Sequence, residues 1–373
     1  MSKTTVPNTT KIMLWAQAAG RCQYDGCNQL LFLDKVTKTF MNSAYIAHII
    51  ADQPDGPRGD SIQSPLLARD ISNLMLACDV HHRMIDIEQV AAHPAERLRS
   101  MKRAHEQRIN LLTSLVPEKQ SHVLLYGGNI GNHSPVLSFQ KAAQAMLPEW
   151  YPADQHAIEI GLRNSGLTDR DPAYWALETS SLEANVAQHL SPRFSQGQIQ
   201  HLSIFAVAPQ PLLIKIGSLI SDIPAARVYQ LHREPPGWSW CFESSPVPFN
   251  VRNPDVLNGP PALVFSLSGT VTDDRVQAVL PGASIWRISI DSPHNDFVRS
   301  PQQTEDFRRC LRSTLDSIKT AHGQAPELHI FPAMPVSLAV EVGRVRMPKA
   351  DLPMVIYDED RNAGGFRKAL EIR

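Results

Sequence analysis

The 373-residue chain carries 36 Lys/Arg against 37 Asp/Glu, a formal charge of −1, which excludes a protein drawn to nucleic acid by a global basic field. Residues 1–115 hold 13 Lys/Arg against 11 Asp/Glu and the remainder 23 against 26, so DNA contact would rest on local patches. The polar start Met1-Ser2-Lys3, the lack of an apolar run near the ~20 residues of a membrane span, and only five Cys argue against a signal peptide, a membrane helix and a disulfide framework, and predict a cytoplasmic protein.

The length predicts two or three domains. A first helix over 12–19 is expected, capped by Thr9 or Thr10, stopped by Gly20, with Ile12, Trp15, Ala16 and Ala19 on one face. Cys22 and Cys27 follow, with Asp25-Gly26 as the turn that aims both sulfurs at one point. Strands are expected around 30–33 and 40–50, the second an apolar run that contains His48. The loop 52–60 is irregular from its Pro and Gly, and its Arg58 reads equally as a DNA-phosphate contact or as part of a solvated turn. Then come Asn73, Cys78, His81, His82 and Asp86. Pro94 opens a helix over about 95–115, whose Leu98, Met101, Leu112 and Leu115 recur at near-helical spacing beside Arg97, Arg99, Lys102, Arg103 and Arg108, a face that could ride on a DNA backbone.

Thiolate and imidazole donors in the set Cys22, Cys27, Cys78 and His81 are those of a closed structural zinc site. That leaves His48, Asn73 and His82 for chemistry. The order His, Asn, His in Ala47-His48-Ile49, Asn73-Leu74 and Cys78-Asp79-Val80-His81-His82-Arg83-Met84-Ile85-Asp86 resembles the HNH nuclease family over roughly residues 10–115. The resemblance implies a ββα-metal finger, with a helix starting near His81. In it His48 activates water, Asn73 braces the finger, and His82 holds a catalytic divalent cation such as magnesium. Asp86, one helical turn beyond His82, would ligate the same ion or orient His82. Ala47 stands where many of that family carry His or Asp, so the ion would either have fewer protein ligands or take one from Tyr45, Asp79 or Asp86.

After a connecting segment, 117–135, strands are expected at 122–126, 199–207, 225–231, 262–267, 284–290, 327–331 and 354–357, with helices at 139–146, 303–321 and 336–342. The Gly-rich stretch 127–132 lacks the Gly-Lys-Ser/Thr ending of a phosphate loop. This alternation predicts an α/β sandwich with mostly parallel strands, its pocket beyond the strand ends at Val207, Leu267 and Phe331. The stretch from His329-Ile330-Phe331-Pro332-Ala333-Met334-Pro335 to Gly343-Arg344, with Leu352-Pro353-Met354-Val355-Ile356-Tyr357-Asp358, resembles the end of a SAVED domain, two fused CARF-like halves that bind cyclic oligonucleotides.

The expected architecture is therefore an α+β HNH domain with structural zinc at 1–116, the connecting segment, and an α/β SAVED domain at 136–373. HNH followed by SAVED is the arrangement of a CBASS antiphage effector. The resemblance implies a double-stranded DNA endonuclease switched on when a cyclic di- or trinucleotide from a partner cyclase binds SAVED and drives homo-oligomerisation. Candidate messenger contacts are Lys215 and Arg344 for phosphates, Trp238 for stacking, and Ser268, Thr270 and Met334 at strand ends. Two alternatives stand beside this reading. One is a constitutive restriction nuclease whose C-terminal domain reads modified or foreign DNA; it predicts a basic C-terminal domain. The other is a zinc-knuckle binding protein without catalysis; it gives no reason for His82 beside a ligand.

Overall fold

A computed structural model describes residues 4–34, 36–161, 166–171, 173–241, 245–324, 326–360 and 364–373; residues 1–3 of the polar start lie outside them. The chain divides into two compact units, Met1–Val116 and Pro117–Arg373.

In the first unit, α1 (Asn8–Gln17) begins directly behind Pro7, whose φ of −58° already suits a helix. The helix buries Leu14, with Ala18 beyond its end, and leaves Ile12 69% exposed, so its inner face is not the one expected from Ile12, Ala16 and Ala19. The strand expected at 30–33 reduces to single bridges, Arg21 to Leu30 and Leu33 to Phe40. Strand β1 (Ala44–His48) leads through the short α2 (Gln63–Leu67) to β2 (Leu74–Cys78), and the two strands pair antiparallel with His48 opposite Leu74 and Ala44 opposite Cys78. All of β2 is buried. Leu74, Leu76 and Cys78 face one small core with Leu14, Cys22 and Leu31, as the two-residue period of a strand requires, and Met75 faces another with Ala47, Ile85 and Leu98; the small Ala77 packs with the first core. Helix α3 (Asp79–Arg83) leaves β2 without a loop and continues into a π-helical turn, Met84–Glu88; α4 (Ala95–Thr113) follows.

The second unit starts with β3 (Gln120–Gly127), α5 (Phe139–Met146), β4 (Tyr151–Pro152), β5 (Ile158–Ile160), α6 (Tyr174–Asn185), α7 (Ser191–Ser195), β6 (Leu202–Val207), α8 (Gln210–Ile220) and β7 (Ala226–Val228). Its sheet runs β4-β3-β6-β7, with β5 also on β3, and all its pairs are parallel. The segment 117–135 is therefore not a connector. It contains β3, whose Val123, Leu124, Leu125 and Tyr126 are buried in the main core. A hairpin of β8 (His232–Arg233) and β9 (Pro236–Gly237) leads to the second half: β10 (Asn250–Arg252), β11 (Pro261–Ser266), α9 (Asp273–Gln277), β12 (Ser284–Ser289), α10 (Pro301–His322), β13 (Leu328–Phe331), α11 (Val336–Val345), β14 (Met354–Asp360) and β15 (Gly365–Ile372). That sheet runs β10-β12-β11-β13-β14-β15, parallel within and antiparallel at both edges.

The two halves repeat one unit at a constant offset in sequence. Ile204-Phe205, Pro209 and Gly217 in β6–α8 correspond to Ile330-Phe331, Pro335 and Gly343 in β13–α11. One continuous core contains residues of both helices and both sheets.

Candidate functional site

In the first unit, the Cys22, Cys27, Cys78 and His81 donor atoms all lie within 4.8 Å of one another. Cys78 Sγ is 3.1 Å and Cys22 Sγ 3.7 Å from His81 Nδ1. Around one tetrahedral ion with bonds of about 2.0–2.3 Å, neighbouring donors stand roughly 3.5–3.8 Å apart, so these four could hold a zinc-sized ion. Each is placed by local structure. Gly26 (φ 75°) turns the chain between the first two sulfurs, and β2 running straight into α3 sets Cys78 and His81 one turn apart. Burial pushes the Cys22 thiol up to about 12, against backbone hydrogen bonds at Cys78 and Tyr24 that pull it down. Burial beside His93 lowers His81, which favours the neutral imidazole that ligates metal. The Tyr24 ring stacks on His81 at 4.0 Å, and its hydroxyl lies 2.9 Å from His93 Nε2. His93 Nδ1 must donate to Gln89 O at 2.8 Å, so Nε2 accepts from Tyr24. Neither Tyr24 nor His93 stands out in the sequence, because nothing in their spacing links them to Cys22 or His81.

His48 is 6% exposed at the end of β1. Its Nε2 lies 3.0 Å from Ala68 O; a carbonyl only accepts, so Nε2 carries the proton and Nδ1 keeps its lone pair. Asn73 braces the segment that follows His48, donating to Ile50 O at 2.8 Å and accepting from Ile50 N at 2.8 Å. A further bond reaches Leu67 O at 3.3 Å. His82 lies on α3, its ring stacked on Tyr45 at 4.9 Å, with Nε2 3.4 Å from Asp86 Oδ2. The other Asp86 oxygen accepts from Arg58 at 2.6 Å. Arg58 is thus neither a solvated turn residue nor free to meet a phosphate. Among the described residues, His48, His82 and Asp86 do not form a three-donor cluster of the kind found around Cys22. Ala47 is wholly buried; of Tyr45, Asp79 and Asp86, Tyr45 stacks its ring on His82 and Asp86 brings a carboxylate oxygen to 3.4 Å from His82 Nε2.

In the second unit, a cavity of about 570 Å³ opens beyond the carboxyl end of β6, lined by Val207, His133, Lys141, Gln144 and Trp238 among others. Parallel sheets place ligand sites at such strand ends because helix N-termini and loops converge there. The profile of the SMODS-associated and fused to various effectors sensor domain, SAVED, matches residues 182–372. The chain belongs to the SAVED family. The SAVED match begins inside α6, whereas β3 to β5 are part of the same compact unit.

Solved structures similar to the chain include the Cap4 SAVED/CARF-domain containing receptor of Acinetobacter baumannii with the cyclic trinucleotide 2'3'3'-cAAA, at 13% identity and a TM-score of 0.44, over 83% of this chain and 59% of that one. The Moraxella osloensis Cap4 SAVED/CARF-domain containing receptor is similar at 9% identity and a TM-score of 0.41, over 79% and 64%. The chain spans less than two thirds of the length of either receptor. No curated protein matches it. Among the described residues, no helix is long and apolar enough to cross a membrane.

The residues expected to meet a messenger do not converge in the SAVED unit. Trp238 alone of the six lines the cavity at β6, with its ring edge-on to Phe205 at 5.2 Å. Lys215 pairs with Glu183. Arg344 is 3% exposed and holds Glu341 Oε1, Ser221 O and Pro224 O, so it is a structural staple and not a phosphate ligand. Ser268 gives its backbone N–H to Ala333 O, Met334 is buried, and Thr270 is exposed on the turn after β11. The cavity lysine is Lys141, which the sequence does not separate from any other surface lysine.

Proposed function

We propose that the chain is a messenger-gated, metal-dependent endonuclease of double-stranded DNA, acting as an antiphage effector. The His48 geometry carries the catalytic half of this reading. An imidazole whose Nε2 is fixed to Ala68 O presents Nδ1 as the only proton acceptor, the state that a general base needs. It sits on the first strand of a β–β–α run braced by Asn73, with His82 on the helix, the layout implied by the HNH resemblance. His48 takes a proton from water as the water oxygen attacks the scissile phosphorus; the ester P–O bond on the opposite side breaks, and the departing sugar oxygen takes a proton from solvent. His82 and Asp86 would hold a hard divalent cation, which supplies neutralisation of charge on the phosphate and the leaving oxygen. Donors on one such ion stand about 3 Å apart, close to the 3.4 Å between His82 Nε2 and Asp86 Oδ2. A zinc ion on Cys22, Cys27, Cys78 and His81 would fix α3, and hence His82, against β2.

Membership of a sensor family supports the gating half. The cavity of about 570 Å³ falls within the range of small-ligand sites, and Lys141 with Trp238 gives it a cation for phosphate and a ring for a base. A cyclic di- or trinucleotide there would switch the enzyme only by binding one state better than another, which closure of an interface between copies would provide. Plasmid cleavage by the purified protein with Mg²⁺, with and without a panel of cyclic di- and trinucleotides, tests both halves. Cleavage with one messenger only is expected. Cleavage without any messenger would remove the gate, and a folded, messenger-bound protein that leaves DNA intact would remove the nuclease.

A further inference from the structure

The loop after β1 turns Arg58 into the interior. Its backbone sits at φ 58°, in the left-handed region that a long side chain occupies only where its contacts fix it. Nearby, Gly59 packs so closely that a Cβ there would stand 2.3 Å from Pro54 O. The Arg58 side chain is 8% exposed and bridges two elements. Nε donates to Ile49 O at 2.7 Å, Nη1 to Ile85 O at 2.8 Å, and Nη2 to His48 O at 3.1 Å and Asp86 Oδ1 at 2.6 Å. Two acceptors belong to the end of β1, which carries His48. The other two belong to the π-helical turn, which carries Asp86 beside His82.

We propose that Arg58 is a positioning residue that sets the distance between the base His48 and the His82–Asp86 cation seat, through its planar fork and not through its charge. The inference rests on the nuclease reading. Charge and geometry make opposite demands here. A guanidinium next to a metal-binding carboxylate repels a divalent cation, so its removal would tighten binding if charge were all that mattered. Holding Asp86 Oδ2 towards His82 strengthens binding, so its removal would weaken it. A Lys at 58 keeps the charge but, as a point donor on a flexible stem, cannot reach four acceptors spread over two elements.

The test uses the full-length, zinc-loaded chain. Mn²⁺ binding is followed by electron paramagnetic resonance without DNA or nucleotide, and cleavage is measured under the conditions where the wild type cleaves. R58Q and R58K should keep their zinc, bind Mn²⁺ about 10–100-fold more weakly, and lose kcat by a similar factor with little change in KM for DNA. Wild-type Mn²⁺ affinity in both variants, tighter binding in R58Q, or full recovery in R58K would overturn the assignment. Loss of zinc in both Arg58 variants would also overturn it, because Arg58 would then hold the fold of the first unit and not the spacing of the site. A wild-type chain that binds Mn²⁺ yet never cleaves DNA defeats the nuclease reading, and the Mn²⁺ measurements still decide Arg58.

Discussion

Gly217 and Gly343 occupy the same position in the two half-repeats and face each other where α8 crosses α11. A Cβ on Gly217 would stand 2.0 Å from Val340 O, and one on Gly343 would stand 1.9 Å from Ile214 O. The helices therefore pack backbone to backbone, with no side chain between them. Around the crossing, Lys215 pairs with Glu183, Glu341 with Arg308 and Arg344, and Gln230 Oε1 accepts from the Ser337 amide and hydroxyl at the start of α11. The halves of the SAVED unit are thus locked together at this crossing.

At an exposed helical position Gly→Ala stabilises by about 1 kcal/mol. G343A should do the reverse, because both elements must shift to admit one methyl; the expected loss is about 2–3 kcal/mol, or roughly 4–10 °C in the melting temperature of the second unit. An unchanged or raised melting temperature would show that the crossing is looser than described.

Zinc on Cys22, Cys27, Cys78 and His81 makes a sharper demand on the first unit, whose two small cores lie on opposite faces of β2. Metal analysis should find one zinc per chain. Structural zinc contributes on the order of 10 kcal/mol to folding of such modules, so chelation, or C78S, should abolish the melting transition of the first unit and spare that of the second. A metal-free chain that keeps both transitions would sink the zinc assignment.

How legible this was depends on the kind of signal. Cys22, Cys27, Cys78 and His81 could be grouped because few residue types bind zinc, and the strand-to-helix step that joins Cys78 to His81 is local. Asn73 could be read as a brace because its role is to satisfy nearby backbone. Arg58 could not, since its four acceptors come from β1 and the turn after α3, and only tertiary structure brings them together. The messenger residues failed for a related reason. Arg344 looks like a surface cation in the sequence, but 3% exposure and three protein acceptors fix it inside. The repeat of Phe205, Pro209 and Gly217 in Phe331, Pro335 and Gly343 was in plain view, and a self-comparison of the chain finds it. Strand β15 has mixed exposure along its length, and its register slips opposite Ile356 and Tyr357, which hides the alternation that marks a strand.

His48 and Asn73 should separate cleanly on mutation. H48A removes the base and its bond to Ala68 O, so it should cut cleavage by about 10²–10⁴-fold with zinc content unchanged and a loss of only about 1 kcal/mol in the first unit. N73A strands the Ile50 amide and carbonyl, so it should also cost about 2–3 kcal/mol in the first unit. If H48A destabilises as much as N73A, His48 is a core residue and another base must be found.

His201 gives the second unit a dependence on acid. It stacks on Trp150 at 3.5 Å, bonds Ser121 Oγ through Nδ1 at 2.7 Å, and is lowered to about 4, first by burial and then by Arg227, Arg344 and Lys119. The unfolded chain takes up a proton near pH 6.5 that the folded state refuses. The contribution is therefore complete above pH 6.5 and lost progressively as pH falls towards about 4, on the order of 2 kcal/mol. H201Q should flatten the fall in melting temperature between pH 6.5 and 4.5. It should not remove it, because burial also lowers His122, His232 and His329. An identical pH slope in H201Q would place the titrating groups elsewhere.

Lys141 and Arg344 divide messenger binding from stability. Lys141 is exposed on α5 and lines the cavity at β6, so K141A should leave melting unchanged and weaken cyclic-nucleotide binding by about 5–10-fold, as for one exposed phosphate contact. R344A removes a buried cation that ties Glu341 to the carbonyls of Ser221 and Pro224, and should cost about 3 kcal/mol. Calorimetric titration with the activating nucleotide, run beside thermal melts of both variants, reads the two effects separately. If R344A keeps its stability but loses the nucleotide, the messenger meets the α8–α11 crossing instead of the cavity beyond β6.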